Sequence, residues 1–508
     1  MHQRAAGFRA LLYRLALPGT WLGRALFVSL ALGASLAVVL LAWMADQAAA
    51  IFHHMLGWGL WLPVVLMPAG FALCAWITRR WFAGIEGSGI PQTIAQIHLA
   101  SHGRAGDTLL GARRALGKLF LTPLPLLFGA SSGREGPSVF VAAALMQAGR
   151  RWRVIRQVAT DRQLLIAGGS VGVAAAFNTP LAGIMFAIEE LSRRLRFQAN
   201  SATLSAVVLA GLCSLALMGN YLYFGRSQDS LDVLGSLHVV LLCGLLGGTG
   251  GAGFCWLALN WQRVVPRRLR ALQRRRPVLF AALCGLLAGL LALFTAGMLV
   301  DSGYEEARRA VTGVGTLPWW YVPLKMLATL LSFVAGIPAG IFAPSLSIGA
   351  GMSSFAAALL PDTPTGVLAL LCMVAYLSAL TQAPITAFTI VMEMTGHHGL
   401  LIPLMAAAML GQMSARMLRQ PPIYYALAER ILRRMRQAEA RASTAPGPLR
   451  VQEPGSGDSP STRSGHEASI SHDRWLPSPE PVEGVDANTP KAEPLPRPPP
   501  TSSTSPSG

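Results

Sequence analysis

Four short polar clusters interrupt long apolar stretches of this 508-residue chain: GSGIP at residues 87–91, GREGP at 133–137, GIFAP at 340–344 and PIYYAL at 422–427. In the first three, glycine precedes proline and an apolar helical run follows. Proline suits the first turn of a helix, where its missing N–H would have no partner in any case, and glycine lets backbone approach a ligand closely. Helix starts of this kind aim several unpaired N–H groups along the axis with partial positive charge, which makes an anion site without a full cation. Inside the second cluster stands Glu135, flanked by Gly133, Arg134 and Gly136 between apolar segments. A carboxylate in such a place is costly and marks function. Glu189 and Glu190 close another apolar run, and Arg193 and Arg194 follow at the spacing of a helix-end ion pair.

The elements that carry these clusters must be membrane helices. Only 13% of the residues are Asp, Glu, Lys or Arg, against about 25% in ordinary globular chains. Apolar types make up 52%, so most of the chain must face lipid or other apolar segments, which excludes a soluble enzyme. The net charge of +18 comes from arginines clustered between apolar runs; that is the positive-inside pattern of a polytopic membrane protein, not a nucleic-acid footprint. Runs long enough to span cover residues 25–44, 55–77, 164–189, 202–223, 239–261, 277–299, 321–334, 367–392 and 400–417. The shorter runs 119–128, 139–146 and 341–359 read as half-helices, tolerated in a bilayer only where their ends are buried in protein or line a wet cavity. The expected fold is therefore an all-α polytopic membrane protein, a bundle of tilted and broken helices.

Arginine placement sets the topology. Arg79, Arg80, the cluster from Arg263 to Arg276, and Arg430, Arg433, Arg434 and Arg436 belong on the cytoplasmic side. The loops 219–237 and 300–316, with Asp229, Asp232, Asp301, Glu305 and Glu306, belong outside, and both termini fall in the cytoplasm. Residues 1–24 form a cytoplasmic N-terminal segment and 25–436 the transport domain, with comparable halves at 25–224 and 238–436. Broken segments at matching depths in the halves predict an inverted repeat with a site between them. Residues 437–508, rich in Pro, Ser and Thr, read as a disordered cytoplasmic tail; its PLPRPPP stretch at 494–500 reads as a solvated polyproline linker.

Other chemistries fall away. The six cysteines, Cys74, Cys213, Cys243, Cys255, Cys284 and Cys372, sit in apolar stretches with no CxxC spacing, so neither metal nor cofactor is expected. GASSG at 129–133 and GGSVG at 168–172 satisfy GxSxG, but neither follows a strand. GLLGG at 244–248 and GLLAG at 285–289 read as close helix packing. His53, His54, His397 and His398 flank spans and read as interfacial.

The four clusters, in this order, with AAAFNTPLAGIMFAIEE at 174–190 and VMEMT at 391–395, resemble the chloride channel and transporter (CLC) family over residues 25–436. The resemblance implies a homodimer with one anion pathway per subunit, built from an inverted repeat. It implies that Ser88 and Tyr424, the latter beside Tyr425, hold a central chloride together with the N–H groups of Ile341 and Phe342. Hydroxyls suit that task because they donate directed hydrogen bonds without a fixed charge that would trap the anion. By the same resemblance Glu135 is the external gate, occupying an anion position when ionised and swinging aside when protonated. Glu190 delivers protons from inside, with Glu189 beside it. Gly87, Gly89, Pro91, Gly133, Arg134, Gly136, Pro137, Gly340 and Lys118 support the site.

The implied activity is chloride/proton antiport across the inner (plasma) membrane, with a passive voltage- or pH-gated chloride channel as the alternative. Two departures stand out. Gln92, Thr93 and Ile94 follow GSGIP where family exchangers carry acids, which leaves Lys118 without an obvious carboxylate partner. The nucleotide-sensing domain pair of many relatives does not follow the last helix.

Overall fold

The structure, a computed structural model, describes residues 18–444 apart from 105, 107–108, 194–200, 220–221 and 226–236. The first half contains α1 (Pro18–Leu56), α2 (Leu62–Trp81), α3 (Ile90–Ser101), α4 (Ala112–Leu121), α5 (Pro123–Leu127), α6 (Glu135–Ala148), α7 (Arg153–Arg156), α8 (Asp161–Phe177), α9 (Pro180–Phe186) and α10 (Ser201–Met218). The second contains α11 (Leu237–Val264), α12 (Arg267–Arg275), α13 (Pro277–Phe294), α14 (Tyr304–Val311), α15 (Tyr321–Val334), α16 (Phe342–Gly351), α17 (Ser353–Leu359), α18 (Thr365–Thr381), α19 (Pro384–Thr395) and α20 (Leu401–Met417). A last helix, α21 (Ile423–Thr444), follows both. Among the described residues there is no strand, only one isolated antiparallel bridge between Gly133 and Gly340.

Helices α1, α2, α11 and α13 are long and apolar enough to cross a membrane, and they turn Leu36, Leu40, Trp43, Val65, Leu241, Leu245 and Leu287 outward. Exposed leucines in such a run are lipid-facing surface, which a bilayer solvates without cost. In contrast α8 and α18 are buried nearly all round, as helices at the centre of a bundle must be.

The two halves repeat each other. Helix α1 packs on α8 and α10, and α8 on α6; in the second half α11 packs on α18 and α20, and α18 on α16. Individual residues obey the same repeat. Lys118, Gly133 and Pro137 have counterparts at one common spacing in Lys325, Gly340 and Pro344, and Asn178, Pro180 and Glu189 at another in Gln382, Pro384 and Glu393.

Two runs expected as single spans are broken. The run 164–189 divides between α8 and α9 at Asn178, and 367–392 divides between α18 and α19 at Gln382; both residues are left-handed, with φ of 58° and 55°. A proline two positions later starts the next helix at each break and disfavours helical backbone in the residue before it. Residues 300–316, expected as a loop, contain α14. Asp229 and Asp232 and almost the whole expected tail lie outside the described residues, while α21 runs on to Thr444.

Candidate functional site

Three of the clusters do start helices, and the starts converge. GSGIP leads into α3, GREGP into α6 and GIFAP into α16. Gly87 and Gly89 take φ of 71° and 107°, a turn that only glycine adopts without strain. It directs Ser88 at Gly136, where an added Cβ would stand 2.0 Å from the Ser88 Oγ. The other two starts are locked back to back: Gly133 N–H donates to Gly340 O at 2.8 Å, Gly340 N–H returns the bond at 3.1 Å, and Gly340 N–H also reaches Ser132 Oγ at 3.0 Å. The bridge joins the repeat halves at the site itself.

Glu135 is buried, and its carboxylate lies over the start of α16, accepting the Ala343 N–H at 3.4 Å. The side chain thus takes the place an anion would take at that helix end. Ile341 and Phe342 stand at the same first turn, where N–H groups have no partner within a helix. From α21, Tyr424 completes the constellation. Its hydroxyl approaches that of Ser88, yet neither makes a hydrogen bond to a protein group although both are buried. A buried unpaired hydroxyl costs about 1–3 kcal/mol, so two of them side by side, next to a helix start, mark a place for an acceptor. Tyr425, its neighbour, points elsewhere, under the Arg193 guanidinium at 5.6 Å.

Glu190 is buried on a single π-helical turn, residues 187–191. Such turns re-aim side chains and recur at functional sites. Arg193 stands 3.9 Å away, so the ion pair read from the sequence is present but long, and neither carboxylate oxygen accepts a hydrogen bond. Glu189 does something else: its two oxygens accept the Ile385 and Thr386 N–H groups at 3.2 and 2.7 Å, capping α19. Glu393 returns the favour to α9, accepting from Leu181 and Ala182 at 3.1 and 2.7 Å.

The supporting residues acquire definite partners. Lys118 lacks a bonded carboxylate; its ammonium donates to the carbonyls of Ile85, at 2.7 Å, and Gly87, pinning the turn that presents Ser88. Gln92 holds the same turn through the Glu86 carbonyl at 2.7 Å. Lys325 repeats the device in the second half, donating to the carbonyls of Leu299, Val300 and Asp301 at 3.0, 2.9 and 2.9 Å. Arg134 bonds the Ala42 carbonyl at 2.6 Å and pairs with Asp46, which anchors the gate turn to α1.

Sequence reasoning did not bring Asp46, Asp301 or Tyr304 to the site, yet they line a cavity of about 230 Å³ with Arg134 and Glu135. They are remote in sequence: Asp46 falls between the runs 25–44 and 55–77, and Asp301 and Tyr304 in a segment that reads as an outer loop, so no local signal marked them. A second cavity, of about 440 Å³, reaches Ser88 between Gln92, Trp261, Arg430 and Arg434. Glu135 thus lines one cavity and Ser88 the other.

Known proteins agree with this architecture. The family described as "Voltage gated chloride channel" matches residues 70–416. The H(+)/Cl(-) exchange transporter ClcA of Vibrio parahaemolyticus is 31% identical over 393 residues, covering 74% of this chain and 81% of that protein. The ClcA of Klebsiella pneumoniae is 28% identical over 405 residues, covering 75% and 83%. Among solved structures, a slow cyanobacterial Cl-/H+ antiporter superposes with a TM-score of 0.65 at 26% identity, covering 82% of this chain and 97% of its own. A CLC-type fluoride/proton antiporter, at 21% identity and a TM-score of 0.66, shares the fold.

Proposed function

This chain belongs to the voltage gated chloride channel family, and from that premise and the geometry of the site we propose that it exchanges chloride for protons across a membrane. The observation that carries the reading is the pair of buried, unpartnered hydroxyls of Ser88 and Tyr424 beside a carboxylate, Glu135, that rests on a helix start. Chloride and the Glu135 carboxylate compete for one positive helix end, so only one of them occupies it at a time. Protonation removes the charge that holds Glu135 there, the side chain leaves, and chloride takes the N–H groups of Ile341 and Phe342 together with the two hydroxyls. The proton moves with the gate. Glu190 supplies and accepts it from the cytoplasmic side, across a cleft lined by Phe186, Phe342, Leu377 and Thr386 that has no room for a water.

A passive channel on the same fold needs no second acid. Glu190 is present and buried, and the ClcA proteins that cover three quarters of this chain's length are exchangers. The protein is a multi-pass membrane protein; the arginine clusters favour the inner membrane with both termini in the cytoplasm. The exposed apolar faces of α10 and α20 suit a second copy of the chain as well as lipid.

The deciding experiment is the reversal potential of the purified protein in liposomes at several proton gradients. Moving one charge across 100 mV is worth about 2.3 kcal/mol, so a coupled exchanger's zero-flux voltage shifts with the pH gradient. A voltage that follows chloride alone would make the protein a channel.

A further inference from the structure

Glu135 stands between two places. On one side its carboxylate rests on the start of α16; on the other is the cavity of about 230 Å³ that it lines with Asp46, Arg134, Tyr223, Asp301 and Tyr304. One water needs roughly 10–15 Å³ of such space, so the cavity has room for the carboxylate arm when it leaves the helix. The charges it meets there are unequal. Arg134 already pairs with Asp46 and bonds the Ala42 carbonyl, so these two charges largely offset each other. Asp301 has no such offset: among the described residues no salt bridge reaches its carboxylate, whose Oδ1 accepts the Ser302 N–H at 2.6 Å. The Lys325 ammonium nearby is directed at carbonyls, that of Asp301 among them. The charge of Asp301 acts directly on the Glu135 carboxylate. Its backbone is left-handed, with φ of 56°, a conformation strained for residues other than glycine and best tolerated by asparagine and aspartate. Such strain persists only where the surroundings fix it, and the three carbonyls gathered by Lys325 do so here.

We propose that Asp301 guards the coupling: its negative charge in the cavity bars the ionised Glu135 side chain from entering, so that the gate leaves the helix start only with its proton. The inference rests on the reading of Glu135 as the gate. An ionised Glu135 that swung into the cavity would exchange the positive end of α16 for a second carboxylate, and a like charge close by disfavours the ionised form. Protonated Glu135 meets no such penalty. Access of chloride to the N–H groups of Ile341 and Phe342 is thereby made conditional on a proton, which is what tight coupling requires. Without the guard the ionised side chain could leave the helix start, and chloride would slip past with no proton moved. The charged groups that face Asp301 are Arg134 and Glu135 at the start of α6, Asp46 and His53 of α1, Glu306 of α14 and Lys325 of α15. Asp301 is thus a positioning residue, acting on the ions through Glu135.

The test uses the full chain in liposomes. Asp301→Asn keeps the shape of the side chain and its tolerance of left-handed backbone but removes the charge; Asp301→Gly removes the charge and relieves the backbone, and serves if the first variant does not fold. Either should move severalfold fewer protons per chloride, and its reversal potential should shift from the wild-type value towards that of chloride alone. A purely structural role would slow both ions in parallel and leave the reversal potential where it was, which would overturn the guard. Adding Asp301→Asn to Glu135→Gln should not raise chloride flux, because that gate has no charge to hold back. A rise as large as in the wild-type background would mean that Asp301 acts on chloride and not on the gate. Glu135→Gln alone separates the two levels. If it still couples, the reading of Glu135 fails and the guard with it, whereas uncoupling by Glu135→Gln with an unshifted reversal potential in Asp301→Asn sinks the guard alone.

Discussion

Glu135 is held so closely that an added Cβ on Gly133 would stand 2.2 Å from its Oε2, and the carboxylate has one helix start to lean on. A neutral amide keeps the shape of the side chain but cannot ionise, so Glu135→Gln should move chloride with no proton uptake at any pH gradient; uptake at the wild-type rate would remove Glu135 from the mechanism. Tyr424 invites a quantitative test. Its hydroxyl has no protein partner to lose, so Tyr424→Phe should weaken chloride binding by the worth of one hydrogen bond to a charged group, about 1.5–3 kcal/mol, as read by calorimetric titration of chloride. Unchanged affinity would mean the hydroxyl does not hold the anion. These two residues were legible because each stands in a short polar cluster within apolar sequence, where any ionisable or hydroxyl group needs a reason. Asp301 was legible only as a charge in an outer loop, because its place in the cavity with Glu135 depends on Lys325 of α15 gathering three successive carbonyls of the segment between α13 and α14.

The helices follow a rule of reciprocal ends. Glu189, just past the end of α9, caps the start of α19, and Glu393, near the end of α19, caps the start of α9. Each carboxylate faces a helix N-terminus, where a negative charge stabilises by about 0.3–1 kcal/mol, and up to about 2 when partly buried. Glu393→Gln keeps an acceptor and loses the charge, so it should cost about 1 kcal/mol and lower the thermal unfolding midpoint in detergent while coupled transport persists. Loss of coupling without loss of stability would show that Glu393 acts on the ions instead. The small residues are equally local in their work: a Cβ on Gly168 would stand 2.6 Å from Ala143 Cα, and one on Gly172 2.7 Å from Val139 Cα, so the GGSVG run that matched a hydrolase pattern is the seam between α8 and α6. The helix starts and the close-packed glycines of GLLGG and GLLAG could be read from sequence because each depends on residues a few positions apart, whereas the packing role of Gly168 and Gly172 was not legible there. The breaks at Asn178 and Gln382 could not be read from apolar content, since α8 and α18 are buried on all sides and hydropathy runs through the break unchanged.

Across the whole molecule the repeat is close in backbone and unequal in chemistry. The position of Glu135 in the first half is taken by Phe342 in the second, and that of Glu190 by Met394; the symmetry supplies facing helix starts, and the acids proposed to move protons come from one half alone. Ser88, Glu135, Glu190, Phe342 and Tyr424 all belong to one chain and sit within one compact unit ending at Thr444. A second copy, docked on the exposed apolar residues Leu212, Ile402, Met405 and Met409, would add no ligand to this site. A homodimer of such chains should therefore behave as two independent exchangers. When wild-type and Glu135→Gln chains are mixed, unfolded to monomers and reassembled, proton uptake per total protein should fall in direct proportion to the mutant fraction, because each dimer containing one active chain keeps half its activity. If the two pathways instead had to work together, only dimers with two active chains would take up protons, and uptake would fall as the square of the wild-type fraction. An equal mixture separates the cases, since independent subunits retain half the uptake and obligate partners a quarter.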